Sequence, residues 1–166
     1  MLFRSVAVDN ERAAALFKEA ASKGNPRALK NLGYMYYFGA GVSKDVEKAK
    51  ELFRQSAGGD EASAQFALGS LYYIGEDVPR DYAKAFELLK RSAEQGYAKG
   101  QMLLGRMYAR GEGVERSLGD AWFWLLVAEA QEPVLARHYK AEFADQVSDA
   151  ERREAEARAG AWMPRD

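Results

Sequence analysis

Cysteine is absent from the 166-residue chain, and histidine occurs once, as His138. The first absence removes disulfides, thiolate nucleophiles and Cys-ligated zinc together, and the second removes most histidine-based metal sites. Nothing in the sequence therefore implies a metal or a cofactor. Proline is scarce and no glycine–serine tract occurs, so no internal linker is expected. Neither sign of charge is in excess: the formal net charge is −1, with acidic and basic residues interspersed. Such a chain has no overall field to attract nucleic acid or an anionic membrane. The longest apolar run, Ala121 to Ala128, is far short of the roughly 18 to 20 residues of a spanning helix. No basic start followed by an apolar stretch marks a secretory signal. Cytoplasm and periplasm both stay open, because exported bacterial proteins can also lack cysteine. Phosphate loops and the serine-elbow motif are missing.

What is present is a repeat. Gly33, Gly69 and Gly105 are separated by steps of 36, and so are Gly39, Gly75 and Gly111. The same step relates Tyr36, Tyr72 and Tyr108, Leu32, Leu68 and Leu104, and Val42, Val78 and Val114. Ala13, Ala49, Ala85 and Ala121 extend the register one copy towards the N-terminus. A fixed period of this length is the signature of stacked supersecondary units, each too small to bury its apolar face alone.

Each unit reads as two helices. In the first, Asn25 to Phe38 carries Ala28, Leu32, Met35 and Tyr36 at helical spacing. Pro26 sits where a first-turn proline is tolerated, and Gly39 ends the helix. Asp45 is the expected N-cap of a second helix with Ala49, Leu52, Phe53 and Ala57 on one face, closed by Gly58 and Gly59. Asp81 and Ser117 are the corresponding caps downstream, Ser117 with Asp120 at the capping-box position. Gly33, Gly69 and Gly105 fall mid-helix, where glycine costs about 1 kcal/mol relative to alanine. The expected compensation is close approach of a neighbouring helix to bare backbone.

The pattern Ala28, Leu32, Gly33, Tyr36, Gly39, Gly41, Val42, Asp45, Ala49, Leu52, Phe53, Ser56, Ala57 resembles the Sel1-like repeat family, a relative of the tetratricopeptide repeat. The resemblance covers about residues 9 to 131. It departs from the pattern at Asp77, where a second loop glycine belongs, and at Ser117, which replaces the capping aspartate. It implies an all-α fold, a right-handed α/α superhelical solenoid of helix-turn-helix repeats. It also implies a role as an interaction scaffold. The lack of cysteine separates the chain from a cysteine-rich branch of that family discussed in connection with β-lactam compounds.

On this register, 1–8 is a non-repeat segment and 9–24 is the second helix of a truncated repeat, with Asp9 as its cap. Residues 25–60, 61–96 and 97–132 are full repeats, and 133–166 is a C-terminal cap, all in one solenoid domain. The orphan helix predicts that the chain begins inside a longer natural one. In the cap, Pro133 opens a helix with Leu135, Tyr139, Phe143 and Val147 four apart. Ser148 and Glu151 form a capping box for a last helix ending near Trp162. The pair is expected to lie as a lid over the last repeat.

The expected function is binding of another protein or peptide along the inner, concave face built from the first helices. The variable columns there are Arg27, Lys30, Tyr34 and Tyr37, then Ser63, Phe66, Ser70 and Tyr73, then Lys99, Met102, Arg106 and Ala109. Aromatic residues, methionine and arginine are enriched in binding hot spots. Tyr34, Arg106, Arg27 and Lys30 are expected to be exposed, whereas Phe66, Met102, Tyr37 and Tyr73 could equally pack between units. A mixed aromatic and basic groove suits an extended peptide or helix of some acidic character. No nucleic acid, membrane insertion or small-molecule substrate is expected. The alternatives are a structural fragment of a larger multi-domain protein and, as a poor third, a cell-wall- or β-lactam-related hydrolase. His138 has no second ligand beside it, and Asp45 and Asp81 are explained by capping, so no catalytic residue stands out.

Overall fold

In the computed structural model, residues 2–59 and 61–164 are described, with side chains for 9–59 and 61–164. Met1, Asp60 and Arg165–Asp166 lie outside these, as do the side chains of the segment 2–8. Among the described residues there are nine α-helices, one 3₁₀ turn and no strand. They are α1 (Leu2–Ser22), α2 (Pro26–Phe38), α3 (Val46–Gly58), α4 (Ala62–Ile74) and α5 (Tyr82–Glu94). There follow α6 (Ala98–Arg110), α7 (Leu118–Glu129), α8 (Pro133–Ala141) and α9 (Asp149–Gly160), with the 3₁₀ turn at Ala144–Gln146. The chain divides into two compact units, Met1–Leu68 and Gly69–Asp166, the division falling within α4.

The helix ends follow local chemistry. Asn25, Asp45, Asp81, Ser117 and Ser148 each accept a bond from a backbone N–H of the first turn they precede. Gly39 and Gly111 end α2 and α6 in the left-handed conformation, at φ 70° in both cases. A further bond closes each loop. The N–H groups of Asp45, Asp81 and Ser117 donate to the carbonyls of Tyr36, Tyr72 and Tyr108 at 2.9, 3.0 and 3.0 Å.

In the first unit, α1 departs from expectation. It is one continuous helix from Leu2, and Asp9 lies inside it rather than capping it. No glycine or proline occurs between Leu2 and Asp9, so nothing stops the helix upstream of the aspartate. The helices α2 and α3 meet at Gly33. A Cβ there would stand 2.7 Å from the ring of Phe53, which is 1% exposed. At the other end of the pair, the buried Ser56 hydroxyl donates to the Pro26 carbonyl at 2.6 Å.

The second unit repeats this construction. Cβ atoms added at Gly69 and Gly105 would each lie 2.9 Å from a leucine Cγ, those of Leu89 and Leu125. The mid-helix glycines thus sit where close packing against the second helix leaves no room for a side chain. Gln101 is a buried polar residue that the apolar pattern does not announce. Its amide donates to the Ala93 carbonyl at 3.2 Å, bridging α6 to the end of α5.

The tail packs against α7. Trp162 meets Trp124 edge-on at 6.2 Å, and Arg158 reaches both Asp120, at 2.8 Å, and the face of Phe123. The expected single helix through Leu135, Tyr139, Phe143 and Val147 is not formed. It ends at Ala141, and the chain turns through Ala144–Gln146. Residues four apart advance about 40° around a helix at each step, so a straight helix would carry Phe143 and Val147 off the face of Leu135. The break buries both of them, with Phe143 edge-on to Trp122 at 6.1 Å, and leaves Leu135 partly exposed.

Candidate interaction faces

In the first unit, the α2 candidates fall into two groups. Arg27 is exposed, as expected. Lys30 is not: its ammonium donates to the Ser63 hydroxyl at 2.8 Å and lies 3.8 Å from the Glu61 carboxylate. Ser63 is in turn within 2.8 and 2.7 Å of the two Glu61 oxygens. Glu61 also accepts from the Ala64 N–H at 3.0 Å, so the carboxylate that caps α4 neutralises Lys30 as well. Phe66 is half-buried.

Tyr34, expected to be exposed, is half-buried. Its ring meets Phe53 edge-on at 4.9 Å and stacks on Phe38 at 6.3 Å. Tyr37 meets Phe38 edge-on at 5.0 Å, and Lys44 lies over the Tyr37 ring at 5.7 Å. Phe38 itself, absent from the candidates read in the sequence, is 71% exposed. Its column offered a signal. Phe38 and Ile74 are large apolar residues at the last helical position before a glycine, where neither capping nor core packing requires them.

In the second unit, Lys99 is exposed and Ser70 is half-buried, with a buried hydroxyl oxygen that has no protein partner. Met102 is a correction. At 3% exposure it belongs to the core and cannot meet a partner. Arg106, expected to be exposed, is half-buried, with its guanidinium 4.8 Å from the centre of the Tyr139 ring on α8. A pattern confined to the repeats could not foresee this, because Tyr139 belongs to the non-repeat tail.

Tyr73 donates its hydroxyl to Glu112 at 2.8 Å, and its ring lies 5.5 Å from that of Tyr82. Burial and then the Glu112 carboxylate push its phenol up to about 12. Spectroscopic titration should therefore show one tyrosine ionising near pH 12, roughly two units above an exposed phenol, and Tyr73→Phe should remove it. The raised value favours the folded state fully below pH ~10, and this contribution is lost as pH rises through about 12. A titration in which every tyrosine ionises together near pH ~10 would contradict the half-buried Tyr73–Glu112 bond.

Among the described residues, no group of three or more His, Cys, Asp or Glu is gathered as a metal site would require. No helix among them is long and apolar enough to cross a membrane. His138 is exposed beside Tyr139.

Successive capped helix pairs, packed through mid-helix glycines and closed by a non-repeat tail, define a helical repeat protein of the solenoid class. The Sel1 repeat family model matches residues 2–25, 26–59, 62–97 and 98–132, and the chain belongs to that family. Two solved structures are similar to it. One is a protective antigen present in uropathogenic Escherichia coli strains and displaying an SLR fold, at 29% identity and a TM-score of 0.83. It is matched over 92% of this chain and 32% of its own. The other is a Sel1 repeat protein from Oxalobacter formigenes, at 26% identity and a TM-score of 0.75, matched over 92% of this chain and 64% of its own. The chain thus spans about a third of the first and somewhat under two thirds of the second. No curated protein matches it.

Proposed function

We propose that the protein is an interaction scaffold that holds a partner protein or peptide against the first helices of its repeats. In the first unit the contact centres on Phe38. The observation that carries this is an exposed phenyl ring fixed between Tyr34 and Tyr37 at the end of α2. A large apolar group facing water contributes little to folding. Held rigid by neighbouring rings, it loses little entropy when a partner covers it, which is the usual make-up of a hot spot. Arg27 lies exposed on the same helix. The family's usual role in protein interaction points the same way.

The test compares wild type with Phe38→Glu as immobilised bait in a lysate of the source organism, followed by titration of whatever is retained. A specific partner should bind the variant about 30-fold more weakly, the loss expected at a hot spot. The variant should stay folded and unfold within a few degrees of wild type, because the substitution removes only the ring contacts with Tyr34 and Tyr37 at the end of α2 and adds a charge there. Equal retention by a folded variant would refute the α2 assignment.

A further inference from the structure

The third repeat and the tail border a half-open cleft of about 170 Å³, with the buried Phe143 and the half-buried Arg106 in its wall and the exposed Arg110, Arg116, Glu142 and Gln146 at its mouth. Its charges are incompletely matched. Arg110 pairs with Glu142 at 3.3 Å. Arg116 donates only to neutral acceptors, the Ala109 carbonyl at 2.9 Å and the Gln146 amide oxygen at 2.7 Å. Arg106 lies over Tyr139, and its Nε is buried without a protein acceptor. The other carboxylate acting on Arg110 is Glu112, which already accepts the Tyr73 hydroxyl. Two carboxylates for three guanidiniums leave one positive charge.

We infer that this cavity binds a single carboxylate group of a partner polypeptide, with Arg106 and Arg116 as its donors. The inference rests on the scaffold reading and gives the second unit its own contact. A guanidinium presents parallel N–H groups that match the two oxygens of a carboxylate; since Arg116 already donates through Nε and Nη2 and Nε of Arg106 is buried, the Nη1 side of each is what is left to donate. One excess charge suits a monoanion, and the Glu142 carboxylate in the wall works against a phosphate dianion. The volume admits a carboxylate and the carbons that carry it. It is well below the roughly 300 to 1,000 Å³ of a typical small-molecule pocket. Glu142, Phe143 and Gln146 come from the turn between α8 and α9, so the site depends on the break in the tail rather than on the repeat.

The experiment follows backbone amide signals of the full chain during titration with four probes. N-acetylglycine offers a terminal carboxylate and the amide of N-acetylglutamic acid a side-chain one; N-acetylglycinamide offers none, and inorganic phosphate offers a dianion. Saturable shifts confined to residues 106–116 and 142–147 are expected with the carboxylates and not with the neutral amide. The stronger of the two carboxylates identifies the source. Arg106→Gln should weaken binding ~10-fold, as loss of one charge-assisted hydrogen bond does. Glu142→Gln should tighten it roughly threefold by removing a like charge. Opposite responses from two wall residues cannot come from general loosening of the fold. No saturable shift, preference for phosphate, or indifference to Arg106→Gln would overturn the assignment. The probes require no partner, so carboxylate binding without any captured protein leaves the cavity standing and counts against the scaffold. A captured partner with no carboxylate binding does the reverse.

Discussion

Gly113→Ala is expected to destabilise the protein by about 3 kcal/mol, as a backbone clash and a left-handed residue combine. Gly113 has φ 73°, and a Cβ built on it would stand 2.3 Å from the Tyr82 carbonyl oxygen and 2.6 Å from its carbon. Those atoms belong to the first residue of α5, so no side-chain rotation relieves the overlap; the loop or the helix must move. The control is Gly119→Ala, at the start of α7, where the new methyl meets nothing closer than 3.7 Å. Alanine there gains helix propensity and should leave stability unchanged or raised by up to about 1 kcal/mol. Urea denaturation of the two variants decides the matter. Equal stabilities would show that the loop can lift off α5 at little cost. Gly41 has the same relationship to Asn10 in the first unit, with Cβ distances of 2.3 Å to the Asn10 carbonyl carbon and oxygen. The second loop glycine therefore serves approach of the loop to the helix that precedes its own pair, α1 for Gly41 and α5 for Gly113, as well as the turn itself.

Leu125→Ala should cost roughly 3 kcal/mol, within the range for truncating a fully buried leucine. Leu125 has no exposed surface and fills the space that Gly105 leaves open opposite it. The informative measurement is the double mutant with Gly105→Ala. In wild type that alanine would press on Leu125 Cγ at 2.9 Å and on the Ala121 carbonyl at 3.2 Å. Once Leu125 is shortened, only the second contact remains and the new methyl enters the cavity. Gly105→Ala should then be at least about 1 kcal/mol less harmful than in the wild-type background, a coupling of the size contacting residues show. Strict additivity in thermal or urea unfolding would mean that the two positions do not share this space.

The first-helix face was only partly legible in the sequence. Position along the helix separates Arg27 and Lys99, which are exposed, from Leu32 and Leu104, which are buried. It does not separate Lys30 from a free lysine, because its partners Glu61 and Ser63 sit at the start of another helix, α4. Met102 shares a column with Lys30 and Phe66 yet is buried, so the periodicity of one helix misjudged how deeply its neighbours cover it. Phe38 was overlooked because it follows the last position of the apolar stripe, and its exposure depends on how the loop leaves α2.

The sequence by itself determined the repeat, the helix pairs, their caps and their closing glycines. All of these are local: a side-chain oxygen bonds an N–H three residues on, and a glycine takes a conformation its neighbours cannot. Tertiary structure decided which of the variable residues meet water, where the tail bends, and that Arg106, Arg110 and Arg116 share one cavity with Glu142. Those outcomes depend on packing between segments some 30 residues apart, where burial of Phe143 and Val147 outweighs continuation of a helix.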